Sequence, residues 1–379
     1  MSDPTIALLS DLVAIDSVNP SLVPGGAGEG AIAERIAAEM RAARLDVRVA
    51  EAAPGRPNVF GVIDTGRPGP ALMLCGHSDT VGVEGMAAPF DPVLRDGKLY
   101  GRGAQDMKGG VAAILGAARR LAESPAGLAG RVIVAIVVDE EYASIGAEAA
   151  AKEWRADAAV VAEPTDLCIG VGHKGFEWVE VETAGVAAHG SRPEDGVDAI
   201  MMMGRVLGEL DALERRFIAG ERHALLGRPS LHASLIGGGR EWSTYPDRCA
   251  LSIERRTVVG EGPQSLRREV EAILARLGEA DPRFRASARA IFDRSPYLTP
   301  EGHPLPRLLR ESLGRETTVG AMSFWTDAAI LGAAGMASVV FGPGGAGLHG
   351  LEEYVWVNEV QTCRDALVTL ARKMSYRRW

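Results

Sequence analysis

Short apolar runs alternate with longer stretches of helical period through the first half of the chain. The clearest runs are residues 71–75 (ALMLC), 132–138 (VIVAIVV) and 158–162 (AAVVA). Unbroken runs of this length suit strands buried on both faces, as in a parallel sheet covered by helices. Between them, residues 110–123 (GVAAILGAARRLAE) and 145–154 have helical character. The alternation predicts an open α/β sheet.

The texture changes at Lys174. Residues 176–183 (FEWVEVET) alternate apolar and polar positions, the mark of a half-solvated antiparallel strand. A helix over roughly 195–217 is predicted next, then strands at 231–236 and around 249–257, separated in part by Gly237, Gly238 and Gly239. A helix at 265–277 and a strand at 285–292 follow, so the order is β-α-β-β-α-β, that of a ferredoxin-like unit. After Pro296 the α/β texture resumes, with a helix near 305–313, a buried strand at 337–341 and a last helix from about 359 to 373. The predicted layout is an α/β domain, residues 1–173 and 295–379, interrupted by a smaller α+β domain over 174–294.

Composition narrows the function classes. Hydrophobic residues make up 46% of the 379, which is enough for a buried core and excludes a disordered chain. A net charge of −9 argues against nucleic acid or an anionic membrane as partner. No apolar run approaches the roughly 18 residues that span a bilayer. The segment MSDPTIALLSDLVAID carries acids where an export signal carries bases, so export is not expected. Cys75, Cys168, Cys249 and Cys363 are widely spaced and read as reduced thiols of a cytoplasmic protein.

In open α/β sheets, ligands gather beyond the carboxyl ends of the strands. After 71–75 comes Gly-His77-Ser-Asp79, and after 132–138 comes Asp139-Glu140-Glu141. Residues 158–162 are followed by Glu163, and 337–341 by a glycine-rich loop ending at His349. A further acid, Asp106, stands at a predicted helix start in GRGAQDMK. Singly, each has an ordinary explanation, such as a loop histidine or a helix cap. Together, two histidines and several acids at converging strand ends form a costly cluster unless cations neutralise it. Imidazole and carboxylate ligands suit Zn²⁺, with Mn²⁺ or Co²⁺ conceivable. Five ligands exceed one tetrahedral site but fit two ions sharing a carboxylate, which would clamp a hydroxide and polarise a carbonyl. Glu140 remains as a base beside that water, and Asp79 can hold the His77 ring through its second nitrogen.

These segments resemble the di-zinc amidohydrolase and exopeptidase family of acetylornithine deacetylase, succinyl-diaminopimelate desuccinylase, aminoacylase and glutamate carboxypeptidase. The matching motifs are GHSDTV (76–81), GRGAQDMKGG (101–110), VDEEYASIGA (138–147), AEPT (162–165), AAHGSRP (187–193) and GLHGLEEYV (347–355), in family order after Ser17-Val-Asn-Pro20. The resemblance implies a zinc-exopeptidase-like mixed sheet flanked by helices, with the inserted ferredoxin-like domain as lid and homodimer interface. It implies that His77 and Glu163 bind one zinc, Glu141 and His349 the other, and that Asp106 bridges them and precedes a cis peptide. It also implies Glu140 as general acid and base, and Asp79 as the residue orienting His77. His189 would reach the partner subunit's site to stabilise the oxyanion, and Arg256, next to Arg255, would grip a substrate carboxylate. The expected reaction is hydrolysis of the amide of an N-acylated amino acid by metal-bound hydroxide, with a dipeptidase or carboxypeptidase as the alternative.

Two departures bear on the substrate. Ser243-Thr244-Tyr245 stand before Pro246-Asp247, where many relatives carry asparagine, and Ser323-Phe-Trp-Thr326 precede Asp327, where relatives commonly have smaller residues. Both weaken a strict desuccinylase reading. Phe324 and Trp325 are either core or wall of an acyl pocket. Rival motifs fail: Gly101-Arg-Gly103 continues to Asp106 and not to the third glycine of a dinucleotide loop, and Gly76-His-Ser78-Asp-Thr80 lacks the last glycine of a serine-nucleophile turn. His173, His223, His232 and His303 read as structural.

Overall fold

The computed structural model describes residues 3–375. The chain forms two units. The first runs to Gly172 and resumes over Leu298–Met322 and from Thr326 onward; the second is His173–Tyr297 with Ser323–Trp325.

The first unit is built on a mixed sheet. Its strands run in the order Asp46–Ala53, Arg56–Asp64, Arg131–Val137, Ala71–His77, Ala158–Val161, Ala337–Val340, Ile169–His173 and Tyr297–Leu298, with Val319–Met322 joining Ile169–His173. The predicted apolar runs are its centre. Ala71–His77 is buried at every position and pairs in parallel with Arg131–Val137 and Ala158–Val161. Ala158–Val161 pairs in parallel with Ala337–Val340. The hairpin Asp46–Ala53/Arg56–Asp64 adds antiparallel strands at one edge, and the run pattern did not reveal it. Asp46–Ala53 has no buried residue, so it carries none of the apolar signal that marks the central strands.

Helix Gly109–Glu123 is buried over most of its circumference. It approaches the strand ends closely: a Cβ at Gly110 would fall 2.0 Å from the Ala162 carbonyl oxygen, so only glycine fits there. A small sheet, in the order Gly345–Ala346, Tyr354–Trp356, Lys98–Tyr100 and Val93–Arg95, joins two loops far apart in sequence. No helix among the described residues is long and apolar enough to cross a membrane.

The second unit follows the order Gly175–Ala184, Ala199–Ala219, Ser230–Gly238, Arg248–Thr257, Ser265–Ala280 and Ala286–Arg294, the expected β-α-β-β-α-β. Its four strands lie antiparallel, with Gly175–Ala184 between Arg248–Thr257 and Ala286–Arg294, and Ser230–Gly238 at one edge. Alternation then sorts side chains by face. Val179, Val181, Leu251 and Ile253 pack with Met202, Met203, Val206, Val270 and Ile273 of the two helices. On the same strands Phe176, Trp178 and Phe292 form a ring cluster with centroids 5.3–5.9 Å apart. Trp325 belongs to this cluster, 6.2 Å from Phe176, and its indole donates to the Ser295 carbonyl at 3.1 Å. It is thus packed against aromatic neighbours within the second unit.

Candidate metal centre

The carboxyl ends of the central strands in the first unit bring the predicted acids and histidines together. His77 is the last residue of its strand and is buried. Its Nε2 lies 3.2 Å from Asp106 Oδ1 and 3.7 Å from Glu163 Oε1. His349 Nε2 lies 3.3 Å from Asp106 Oδ2 and 3.3 Å from Glu141 Oε2. Each oxygen of Asp106 therefore faces a different histidine, which gives two groups sharing one carboxylate: His77, Asp106 and Glu163, and Asp106, Glu141 and His349. Asp106 stands in an irregular turn, residues 104–108, ahead of helix Gly109–Glu123, and does not cap that helix. The Asp106–Met107 peptide is cis.

The electrostatics follow from burial. Burial drives the Glu163 carboxyl well above its usual range, against the opposing pull of His77. Glu140 is likewise pushed well above, first by burial and then by the Glu163 charge. Glu141 rises to about 7 for the same reason, with Asp106 as its charged neighbour. For Asp106 burial acts upward too, but hydrogen bonds with His349 and His77 outweigh it and hold the carboxyl below the ordinary range. His349 is raised to about 10 by its hydrogen bonds to Asp106 and Glu141. For His77 burial opposes the charged form, yet Glu163, Asp106 and Asp79 lift it well above the usual imidazole value.

Buried carboxylate oxygens without donors are unfavourable unless a cation meets them. Glu141 Oε1 and Glu163 Oε1 are buried and receive no hydrogen bond from the described residues. One histidine with two carboxylates, twice, around a shared Asp106 is a donor set that fits a pair of divalent ions.

Asp79 does more than the motif implied. His77 Nδ1 donates to the Asp79 main-chain carbonyl at 3.0 Å, with the carboxylate 3.5 Å away. The Asp79 carboxylate accepts from the backbone N–H groups of Glu140 and Glu141, both at 3.2 Å, and so holds the two acids in place. Asn19 Nδ2 donates to Asp79 at 2.7 Å and to Asp139 at 3.0 Å. Behind it, Arg56 pairs with Glu29 and Asp139. Sequence reasoning missed Asn19, Arg56, Glu29 and Asp139 as parts of one buried network. The visible hint was Asn19 in Ser17-Val-Asn-Pro20.

The remaining predicted residues lie in the second unit. His189 is exposed, with Nδ1 2.8 Å from Ser191 Oγ, in a turn closed by a Gly190 N–H bond to the Ser243 carbonyl. Arg255 and Arg256 point to opposite faces of their strand. Arg255 is buried, paired with Glu261 and Glu269 and stacked on Phe217 at 4.5 Å. Arg256 is half-buried, lies over Phe176 at 5.4 Å, and donates through Nε to Glu254 at 2.6 Å. Only Arg256 is placed to offer part of its guanidinium to solvent.

The chain is similar to known proteins in sequence and in fold. The acetylornithine deacetylase of Myxococcus xanthus is 32% identical over 306 residues, covering 78% of each chain. The N-formyl-4-amino-5-aminomethyl-2-methylpyrimidine deformylase of Bacillus subtilis (strain 168) is 28% identical, covering 81% of this chain and 80% of that one. In fold, the chain matches the crystal structure of a tripeptidase from Staphylococcus aureus with a TM-score of 0.81 over 98% of both chains, at 20% identity. A family model, peptidase family M20/M25/M40, matches residues 73–373, which take in His77, Asp106, Glu140, Glu141, Glu163 and His349. A match of that extent, on a fold that assembles these residues at its strand ends, means that the chain is a metallohydrolase belonging to peptidase family M20/M25/M40.

Proposed function

We propose that the protein is a two-zinc amidohydrolase that cleaves the amide of an N-acylated amino acid, in the manner of an acetylornithine deacetylase. The observation that carries this reading is the Asp106 carboxylate facing His77 with one oxygen and His349 with the other, with Glu163 and Glu141 completing the two groups. His77, Asp106 and Glu163 would hold one ion, and Asp106, Glu141 and His349 the other. When bound, such ions supply Lewis acidity toward a carbonyl and acidify water. Zinc suits the donor set best, and Co²⁺ or Mn²⁺ would also be accepted.

The chain's own groups then account for the proton movements. The Glu140 carboxylate takes a proton from the attacking water as the C–O bond forms, and returns it to the amide nitrogen as the C–N bond breaks. Asp79, bonded to the Glu140 and Glu141 backbone, keeps the base and its neighbour aligned. His189, contributed by the partner in a homodimer formed through the second unit, would donate to the developing oxyanion. Arg256 would pair with the substrate carboxylate.

The two curated relatives named above remove acyl or formyl groups, which favours deacylation over peptide cleavage. A panel of N-acetyl, N-formyl and N-succinyl amino acids, assayed beside dipeptides, tests this directly. Acetyl or formyl substrates should be turned over fastest; preference for free dipeptides would replace the deacylase reading with a peptidase. Removing metal with a chelator should abolish turnover and added Zn²⁺ should restore it. Activity that survives complete metal removal would overturn the assignment.

A further inference from the structure

Glu353 lies in the motif GLHGLEEYV, and the reaction above gives it no part. It is 1% exposed, and Arg102, its partner across 251 residues of sequence, is 2% exposed. A buried carboxylate of this kind is retained only where it is fully engaged. Glu353 is engaged. Its Oε1 accepts from the N–H groups of Gln105 at 2.8 Å and of Asp106 at 3.1 Å. Its Oε2 accepts from Gly103 N–H at 3.0 Å and from Arg102 Nη1 at 2.7 Å. Three backbone donors, two in the turn that carries Asp106 and one, Gly103, immediately before it, thus converge on one side chain.

Arg102 extends the connection the other way. Its Nη2 donates to the Gly350 carbonyl at 2.9 Å, one residue beyond His349. The small sheet sets the register that makes this possible: Tyr354 pairs with Tyr100, Val355 with Leu99 and Trp356 with Lys98. Continuing that ladder, Gly101 N–H donates to the Glu353 carbonyl at 3.1 Å. The His349 loop turns sharply through Gly347, at φ +91, where a Cβ would sit 1.9 Å from the Glu352 carbonyl oxygen. His349 itself adopts φ 57, and its side chain is 55% exposed. Packing therefore holds His349 only loosely, and the adjoining backbone is fixed through Arg102 and Glu353.

We infer that Arg102 and Glu353 form a positioning clasp that sets the distance between the Asp106 turn and the His349 loop, and so governs the affinity of the Asp106–Glu141–His349 ion subsite. The inference rests on the ligand reading above. Arg102 bonds the His349 loop directly and reaches the Asp106 turn only through Glu353, which keeps its three backbone donors there without Arg102. Its loss therefore acts chiefly on that subsite and much less on the His77–Asp106–Glu163 group. Glu353 anchors Asp106, which both subsites share, so its loss acts on both.

The test is a titration of the metal-free full-length protein with Co²⁺, followed by calorimetry and by visible absorption, in wild type and in Arg102→Lys. Lysine keeps the charge but lacks the fork that reaches both Glu353 and Gly350. His349→Ala identifies which binding step belongs to the second subsite. Arg102→Lys should weaken that step about 10–100-fold, the usual cost of losing a residue that orients a ligand, and leave the other step within about threefold. Equal weakening of both steps would reduce Arg102 to a general stabilising residue and overturn the clasp, as would two unchanged steps. If Arg102→Lys does not fold, Glu353→Gln decides in the same titration: both steps should weaken, and an unchanged profile overturns the clasp. A wild-type chain that takes up fewer than two Co²⁺ would refute the two-ion reading itself, and is thereby distinct from a failure of the clasp alone.

Discussion

His77 and His173 are both shut away from solvent, one in each unit, and burial alone disfavours the charged imidazole in both. They end in opposite states. His77 faces Glu163, Asp106 and Asp79, whose charges overcome burial and raise its pKa well above the usual value. His173 faces the rings of Tyr297 and Trp325, at 6.1 and 5.9 Å, and burial lowers its pKa to about 4. Its Nδ1–H donates to the Lys174 carbonyl at 3.0 Å, while Nε2 is buried without a hydrogen bond from the described residues. Exposure does not separate a candidate ligand from a packing histidine. The neighbours do: one ring completes a carboxylate cluster that attracts cations, and the other fills an aromatic core.

The contrast can be tested at several strengths. The largest effect is expected at the acid beside the first cluster. Glu140→Ala should lower kcat by about 10²–10⁴-fold, the range for a lost general acid–base group, while the bound ions stay. Steady-state kinetics with metal analysis checks both halves, and retained turnover would remove Glu140 from the mechanism.

Next is His77→Ala in the metal-free protein. It removes the positive partner from buried acids and should cost about 3–5 kcal/mol in urea unfolding near neutral pH. The pKa of His77 is raised by folding, so its contribution is complete below about pH 6.5, the unfolded value, and is lost as pH rises through the folded one. The penalty of the substitution should therefore shrink at alkaline pH. A penalty independent of pH would show that the ring acts by packing alone.

His173 should behave in the opposite sense. Its pKa is depressed from 6.5 to about 4, so the unfolded chain binds a proton that the folded chain refuses. Stability should fall as pH drops across that window, by about 3 kcal/mol in total. His173→Phe should abolish this loss, as read by the pH dependence of the unfolding midpoint, and an unaltered acid profile would contradict the neutral buried ring. The smallest effect is expected at His232, which is exposed on the edge strand Ser230–Gly238. His232→Ala should change stability by less than about 0.5 kcal/mol.

The difference between the two histidines also marks the limit of what sequence could reveal. His77 was legible because it follows an apolar run whose end, in a parallel sheet, has to point at a shared edge. Glu141, Glu163 and His349 follow the same rule, and Asp106 came from its motif. Arg255 and Arg256 show a partial success: strand period puts them on opposite faces, but which face meets the helices depends on how the sheet packs. Glu353, Arg56, Glu29 and Asn19 were illegible as a group, since each is an unremarkable polar residue until its partner arrives from far along the chain.

Local pattern by itself determined the buried central strands, the β-α-β-β-α-β order of the second unit, and the set of acids and histidines at the strand ends. These depend on backbone periods of a few residues, which neighbours in sequence already specify. Tertiary structure alone decided that Asp106 presents one oxygen to each histidine, that Asp79 holds the backbone of Glu140 and Glu141, and that Arg102 and Glu353 close the turn against the loop. Those choices are made by burial. A charged or polar group withdrawn from water is favourable only with a partner at hydrogen-bond distance, and which partner lies that close is settled only when the whole chain has closed.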